Sequence, residues 1–211
     1  MEPPVDEDLL RELRSRAKKQ IRARMRALRT SIPTAALAER SARLIDRLLA
    51  EPLIREARSV ASFWPLIERH EVDLRPLDAE LRRRGVRLYY PFQDPTVTGF
   101  RTGFRLSERE GDVIMRSGRF AEPPPDAPEA ARGDVDVVLV PALAVAATGH
   151  RIGYGAGYYD ATLGDVCPPA RAIVVAYDFQ LLAEVPAEPH DVPVQLVVTD
   201  ARVLPVETEP S

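Results

Sequence analysis

The 211-residue sequence predicts a single α/β domain in which helices cover both faces of a mainly parallel central sheet, a layered α/β/α arrangement. Three segments, 135–141, 171–177 and 195–199, are short and rich in apolar β-branched residues, which is typical of strands buried on both faces. Amphipathic helical segments alternate with the predicted strands along the chain. The composition, 45% hydrophobic and 29% charged, fits a folded globular protein and excludes collagen-like, low-complexity and largely disordered chains.

The first predicted element is an amphipathic helix over residues 7–30. Its apolar side chains recur at three- and four-residue steps, at Leu10, Leu13, Ala17, Ile21, Met25 and Leu28. Residues 11–29 hold nine basic side chains and one acidic one, and Arg14, Lys18 and Arg22 form a row beside the apolar stripe. Such a block attracts anions: nucleic acid, an anionic membrane or a phosphorylated small molecule. The pattern leaves two interpretations open, a row that overhangs a ligand cleft and a freely solvated face.

The remaining elements follow from periodicity and from turn residues. Before residue 105 the sequence predicts a helix at 34–50 after Pro33, a strand at 58–65, a helix at 74–84 ended by Gly85, a strand at 86–90 ahead of Pro91, and a short hairpin strand at 100–104 bracketed by Gly99 and Gly103. Residues 122–133 contain four prolines and predict an ordered turn or an exposed loop ahead of the three buried strands.

Several classes of protein and site are excluded by simple counts. The single cysteine, Cys167, allows no intrachain disulfide and no cysteine-based zinc site, and its surroundings in sequence favour a loop or core thiol over a nucleophile. The longest apolar run, 137–147, is interrupted by Pro141 and is too short to span a bilayer. The acidic, proline-containing N-terminus resembles neither a secretory signal nor a transit peptide, so we expect a cytoplasmic protein.

The most informative segment is 148–160, TGHRIGYGAGYYD, in which glycines alternate at 153, 155 and 157. Successive residues without a bulky side chain let a ligand approach the backbone N–H groups, and such a run can bind an anion. A helix predicted at 158–163 would place its positive N-terminal end beside that anion. The spacing matches neither a Walker A loop nor a dinucleotide-binding fingerprint, and an ordinary turn remains the alternative.

Asp160 ends this segment, and an acid beside a phosphate site requires a bridging cation. Mg²⁺ supplies such a bridge, because it is usually held by one or two carboxylates together with phosphate oxygens and water. Asp191, just before the last predicted strand, is the best candidate for a second carboxylate. On spacing alone, a helix-cap or turn role for either residue is the alternative.

These residues resemble the 5-formyltetrahydrofolate cyclo-ligase family, also called the methenyltetrahydrofolate synthetases. The family signature is a strand ending in proline, followed by G-x-R-[IL]-G-[RY]-G-x-G-Y-Y-D, which Pro141 and residues 149–160 match. Three further blocks agree, at 18–22 (KKQIR), 60–74 (VASFWPLIERHEVDL) and 176–200. The resemblance covers about residues 14–200.

The resemblance implies a ribose-phosphate isomerase/CoA-transferase-like fold and a single domain over 1–211, with 1–6 and 206–211 flexible. It implies ATP-dependent closure of 5-formyltetrahydrofolate to 5,10-methenyltetrahydrofolate, with Mg²⁺ as cofactor and with ATP and a reduced folate as the partners, not nucleic acid or membrane. The implied catalytic residues are Lys18, Arg151 and Asp160, and the implied Mg²⁺ ligands are Asp160 and Asp191. The implied ATP-binding residues are Lys18, Lys19, Arg22, Arg151, Ile152, Gly153, Tyr154, Gly155, Ala156, Gly157, Tyr158 and Tyr159. The implied folate-binding residues are Phe63, Trp64, Glu71, Tyr154, Gly155, Gly157 and Tyr158.

The chain departs from the family pattern at four places. Val145-Ala146 stands where members usually have Phe-Asp, Phe92 where Arg is frequent, Gln195 where Asp is frequent, and Ala156 at a variable position within the glycine segment. The departures at Val145-Ala146, Phe92 and Gln195 keep a second interpretation open, a folate- or nucleotide-binding relative without cyclo-ligase turnover. A nucleic-acid binder is disfavoured by the docked character of the basic helix and by the lack of a nucleic-acid-binding motif.

Overall fold

The computed structural model describes residues 7–116, 120–188 and 191–206. Its helices are α1 (Glu7–Ser31), α2 (Thr34–Ala50), α3 (Pro52–Glu56), α4 (Arg75–Arg83) and α5 (Tyr158–Val166). Its strands are β1 (Ser59–Ala61), β2 (Arg87–Thr96), β3 (Gly99–Ser107), β4 (Ile114–Met115), β5 (Ala121–Glu122), β6 (Val137–Pro141), β7 (Ala144–Ala146), β8 (Arg151–Ile152), β9 (Arg171–Val175), β10 (Leu181–Leu182), β11 (Leu196–Val198) and β12 (Val203–Pro205).

Seven strands form the central sheet in the order β12-β11-β9-β6-β1-β2-β3. The five inner strands are parallel, and the two edge strands, β12 and β3, run antiparallel to their neighbours. The predicted mainly parallel sheet is therefore confirmed. A small sheet, β10-β7-β8, lies beside it.

The central strands are apolar on both faces because each face packs against a separate core. In β6, Val137 and Leu139 belong to a cluster that includes Leu44 of α2 and Leu77 of α4. Val138 and Val140 point the opposite way, into a cluster that also contains Leu163 and Val166 of α5. This alternation confirms the layered α/β/α arrangement.

The predicted helices at 7–30 and 34–50 are confirmed to within one residue. The apolar stripe of α1 is only partly buried, however. Met25 is buried and Ile21 packs on the cluster that contains Ile152, whereas Leu13 is 50% exposed and Leu28 is 37% exposed. The apolar burial of α1 is therefore concentrated at Ile21 and Met25, which pack against the small sheet.

The strand predictions for β1, β2 and β3 were wrong in extent, and β3 spans Gly99–Ser107 instead of 100–104. β1 ends at Ala61, and the following residues leave the sheet. β2 does not stop before Pro91 but continues to Thr96, paired with β3 throughout. Its pairing with β1 ends at Tyr89, so beyond that residue β2 has a strand neighbour on one side only, and a proline without an N–H is tolerated there.

Other predictions fall in or near the ends of the chain. Segment 1–6 and residues 207–211 lie outside the described residues, and Val206 donates its backbone N–H to the oxygen of Gln195 at 3.0 Å.

Within the described part of the chain, none of the helices combines the length and apolar character needed to cross a bilayer. Cys167 follows α5, and burial raises the pKa of its thiol to about 11, which fits the predicted unreactive thiol.

A buried carboxyl group links α4 to the central sheet. Asp78 is 3% exposed and accepts hydrogen bonds from the hydroxyls of Ser62, at 2.8 Å, and Tyr90, at 2.7 Å. Burial raises the pKa of Asp78 to about 7, although both hydroxyl hydrogen bonds oppose that increase. The carboxyl is protonated more readily in the folded state than in the unfolded one. Its contribution to stability is therefore fully present at low pH and is lost as the pH rises from the usual pKa of Asp, 3.8, to about 7.

We therefore predict a pH-dependent difference in stability between the wild type and Asp78→Asn. The free energy of unfolding of the wild type, relative to the variant, should fall by about 2–3 kcal/mol between pH 5 and pH 8, because only the wild type loses this proton. Urea unfolding at several pH values measures it. A difference that does not change with pH would contradict the assignment.

Candidate active site

A cavity of about 560 Å³ opens at the carboxyl ends of the parallel strands. Phe63 and Trp64, which follow β1, and Pro141, which ends β6, form part of its wall. The middle of α1 and the glycine segment 151–160 form the opposite wall. Crevices outside the carboxyl ends of open α/β sheets are the usual ligand sites of such folds.

Lys18 is buried at the cavity wall, which decides against a freely solvated role for this member of the basic row. Its Nζ donates to Glu188 Oε2 at 2.5 Å and to Asp191 Oδ2 at 3.0 Å. Burial alone lowers the pKa of Lys18, but the hydrogen bonds and charges of the two carboxylates outweigh it and raise the pKa above its usual value. The ammonium group is therefore held in its charged form.

Further arginines of α1 hold the glycine segment in place. Arg22 Nε donates to the oxygen of Gly153 at 3.0 Å, and Arg26 donates to the oxygen of Tyr154 at 3.4 Å. Arg29 donates to the hydroxyl of Tyr154 at 2.7 Å. The basic face of α1 thus acts as a support for the glycine segment as well as a source of positive charge.

The glycine segment requires glycine at two of its positions. Gly155 has φ of +103° and Gly157 has φ of +68°, a region that other L-residues rarely adopt. Gly157 immediately precedes α5, so the predicted helix after the segment is confirmed. Ala156 needs no such conformation and is accommodated.

Arg151 joins the glycine segment to the chain after Asp191. One of its amino groups donates to Asp160 Oδ1 at 2.7 Å, and the other donates to the oxygen of Val192 at 2.5 Å. Burial lowers the pKa of Arg151, and the charges of Asp160, Tyr159 and Asp191 oppose that shift. Arg151 therefore contacts one predicted metal ligand, Asp160, directly and interacts with the charge of the other, Asp191.

A buried carboxylate and aromatic rings occupy the other end of the cavity. Glu71 accepts the N–H of Leu66 at 2.9 Å and a hydrogen bond from Tyr154. Burial raises the pKa of Glu71, and those two hydrogen bonds partly offset the rise. Trp64 packs edge-to-face on Tyr90, with ring centroids 6.3 Å apart.

Most of the residues predicted for the site line this one cavity. They are Lys18, Arg22, Phe63, Trp64, Glu71, Arg151, Gly153, Tyr154, Gly155, Ala156, Gly157, Tyr158, Tyr159, Asp160 and Asp191. Ile152 instead packs in the core with Met25, and Lys19 is exposed on α1 away from the cavity lining. Tyr158 is mostly buried, and its hydroxyl donates to the oxygen of Gly103.

Glu188 lines the cavity but was missed by sequence reasoning. The available signal was weak, an acidic residue three positions before Asp191 in a proline-rich loop. The contact with Lys18, 170 positions earlier, cannot be read from such local spacing.

The carboxylates fit Mg²⁺ only as a site shared with a ligand. Asp160 and Asp191 both lie on the cavity wall and supply hard oxygen donors, the type that Mg²⁺ prefers. Among the described residues, no three His, Cys, Asp or Glu side chains form a ready cluster for a metal. Mg²⁺ commonly binds through one or two carboxylates with phosphate oxygens and water, so these two residues fit it in the presence of a phosphorylated ligand.

Three departures from the family pattern are absorbed by packing away from the cavity wall. Phe92 is buried under the guanidinium of Arg105, 3.8 Å from its ring centroid. Val145 and Ala146 are buried in β7. Gln195 accepts the N–H of Ala172 at 2.6 Å, where it joins neighbouring strands.

Proteins similar to this chain in sequence and in fold share one activity in their names. The 5-formyltetrahydrofolate cyclo-ligase family matches residues 14–200. The chain is 35% identical over 189 residues to 5-formyltetrahydrofolate cyclo-ligase of Mycolicibacterium smegmatis. That alignment spans 89% of this chain and 95% of the other protein. It is 31% identical to the Escherichia coli cyclo-ligase, over 74% of this chain and 86% of that one. Its fold matches 5,10-methenyltetrahydrofolate synthetase of Aquifex aeolicus with a TM-score of 0.77 and 27% identity, over 92% and 95% of the two chains.

Proposed function

The chain belongs to the 5-formyltetrahydrofolate cyclo-ligase family of enzymes, and we propose that it converts 5-formyltetrahydrofolate and ATP to 5,10-methenyltetrahydrofolate, ADP and phosphate. One observation carries the proposal. A single cavity has the cations and glycine backbone that a triphosphate requires on one side, and a buried carboxylate with aromatic rings on the other. Its volume, about 560 Å³, is in the range of small-molecule sites.

The nucleotide end is the end formed by α1 and the glycine segment. Lys18, Arg22 and Arg151 provide positive charge within one wall, and residues 153–157 provide a backbone that a phosphate can approach closely. Arg151 and Lys18 are held by their carboxylate partners, which fixes their positions before a nucleotide enters. Preorganised charges of this kind stabilise a transferring phosphoryl group without reorganisation during the reaction.

The folate end is the end formed by Glu71, Phe63 and Trp64. A carboxylate accepts two N–H bonds side by side, which is the donor pattern of the pterin ring of a reduced folate. The aromatic side chains offer flat apolar surface for the same ring. Tyr154 contacts Glu71 through its hydroxyl and belongs to the glycine segment, so it places the two substrates beside each other.

The reaction needs positioning of the two substrates more than it needs a protein nucleophile. The formyl oxygen attacks the γ-phosphorus of ATP, and the bond to the ADP oxygen breaks. The N10 lone pair then attacks the formyl carbon, the bond from that carbon to the phosphate oxygen breaks, and N10 loses its proton. Lys18, Arg22 and Arg151 offset the negative charge on the phosphoryl group during the first step.

Asp160 and Asp191 are the proposed Mg²⁺ ligands. When bound, Mg²⁺ supplies positive charge that neutralises the phosphates of the nucleotide. Both carboxylates already face cations, Arg151 and Lys18, so they lie where positive charge is stabilised. Asp160 additionally keeps Arg151 oriented along the glycine segment.

The alternative, a ligand-binding relative without turnover, is distinguished by a direct assay. Purified protein with 5-formyltetrahydrofolate, Mg²⁺ and ATP should produce the absorbance of the methenyl product, and mixtures without ATP should not. Tight binding of folate or nucleotide without product formation would favour the alternative. The three departures that motivate it lie off the cavity wall, which supports turnover.

Lys18→Ala should weaken ATP binding roughly tenfold or more, because a charge-assisted hydrogen bond to phosphate is lost. Lys19→Ala is the matched control, because Lys19 is the adjacent lysine but is exposed outside the cavity lining, and it should change affinity by less than about twofold. Calorimetric titration with ATP measures both constants. Equal effects of the two substitutions would place the nucleotide elsewhere.

Glu71→Gln should raise the KM for 5-formyltetrahydrofolate roughly tenfold while changing ATP affinity by less than about twofold, because one acceptor for the pterin N–H groups is replaced by a donor. Glu68→Gln, on the exposed side of the same loop, removes the same charge and serves as the control. Steady-state kinetics with each substrate varied in turn measure the effect. A larger loss for ATP than for the folate would reverse the two ends of the cavity.

A further inference from the structure

Glu188 and Asp191 both contact Lys18 at the cavity wall, and the contact with Glu188 is the shorter one. Its Oε2 lies 2.5 Å from Nζ, and the Asp191 carboxylate lies 3.0 Å from the same atom. The side chains of Lys18 and Asp191 are each 10% exposed, whereas that of Glu188 is 24% exposed. A cation proposed to bind phosphate is thus already satisfied by protein carboxylates.

The charges around the cavity are balanced. Among the described residues, four cationic side chains line it, Lys18, Arg22, Arg69 and Arg151, and four acidic ones line it, Glu71, Asp160, Glu188 and Asp191. Because the formal charges of these described side chains cancel, the wall exerts little long-range attraction on a triphosphate, and each lining carboxylate repels it locally. Entry of the nucleotide is therefore opposed by the carboxylates unless some of them are neutralised or move away.

The geometry of the loop separates the roles of its two acids. The N–H of Glu188 donates to Asp191 Oδ2 at 2.8 Å, and the N–H of Asp191 donates to the oxygen of Glu188 at 2.9 Å. The Asp191 carboxylate is therefore tied into the turn by the backbone. The longer Glu188 side chain projects from the same turn toward Lys18, and neither of the two backbone bonds involves its carboxylate.

We propose that Glu188 occupies on Lys18 the position that a phosphate oxygen of ATP takes, so that nucleotide binding displaces it and Glu188 sets the affinity for ATP. This inference rests on the proposed function, since it takes ATP as the ligand of Lys18. Glu188 acts as a positioning residue: it keeps the ammonium group charged and aimed at the cavity when no nucleotide is bound. Its replacement should strengthen binding of free ATP, in contrast to the replacement of a residue that contacts phosphate.

The experiment compares Glu188→Gln and Glu188→Asp with Glu184→Gln, which removes an equal charge from the exposed part of the same segment. Calorimetric titration with ATP and with inorganic tripolyphosphate is done first without Mg²⁺ and then with it. Without Mg²⁺, we expect Glu188→Gln to bind both ligands about fivefold tighter than the wild type does. The affinity of Glu188→Asp should lie between those of the wild type and Glu188→Gln, and that of Glu184→Gln should stay within about twofold of the wild type. With Mg²⁺ the gain should narrow to about twofold, because the divalent ion shields the remaining charge. Thermal unfolding of each variant checks that it is folded.

Other binding results for Glu188→Gln would overturn the inference. Weaker binding of ATP by Glu188→Gln only when Mg²⁺ is present would make Glu188 a ligand of the cation and overturn the inference. Weaker binding without Mg²⁺, or unchanged binding, would also overturn it, since Glu188 would then support the phosphate site or have no part in it. If the wild type itself bound neither ATP nor tripolyphosphate, the proposed function would fall, and this inference with it.

Discussion

The docking of α1 onto the glycine segment is the interaction on which the rest of the site depends. Arg22 contacts Gly153 across 131 positions of sequence, and Lys18 reaches Asp191 across 173. These contacts bring cations from the start of the chain to loops at the carboxyl ends of strands near its end. Without them the crevice would be acidic, because Glu188 and Asp191 would lack Lys18, their cationic partner from α1.

Burial makes this arrangement costly unless every charge has a partner. Lys18, Glu71 and Arg151 are all largely removed from water, and an unpaired charge in such a place destabilises a fold by several kcal/mol. Tyr154 connects the two ends of the cavity, since its hydroxyl accepts from Arg29 and bonds to Glu71.

Local patterns in the sequence predicted much of the fold, because periodicity and turn residues act over short distances. The helix at 7–30 and the glycine segment were evident in this way, and the resemblance assigned their roles. Partners distant in sequence were not predictable: nothing near Glu188 indicates Lys18, and nothing near Pro91 shows that β2 loses its second strand neighbour there. Lys18 and Lys19 are adjacent in sequence. Because consecutive residues of an α-helix are rotated by about 100° around its axis, only Lys18 lies at the cavity.

The proposed function requires α1 and the glycine segment to hold the triphosphate of a nucleotide together. A crystal structure of the protein with Mg²⁺ and a non-hydrolysable ATP analogue tests this arrangement. We expect phosphate oxygens within hydrogen-bond distance of Lys18 Nζ and of the backbone N–H groups of residues 153–157. A triphosphate bound elsewhere, with this segment empty and Lys18 far from it, would show that the nucleotide site lies in another part of the protein.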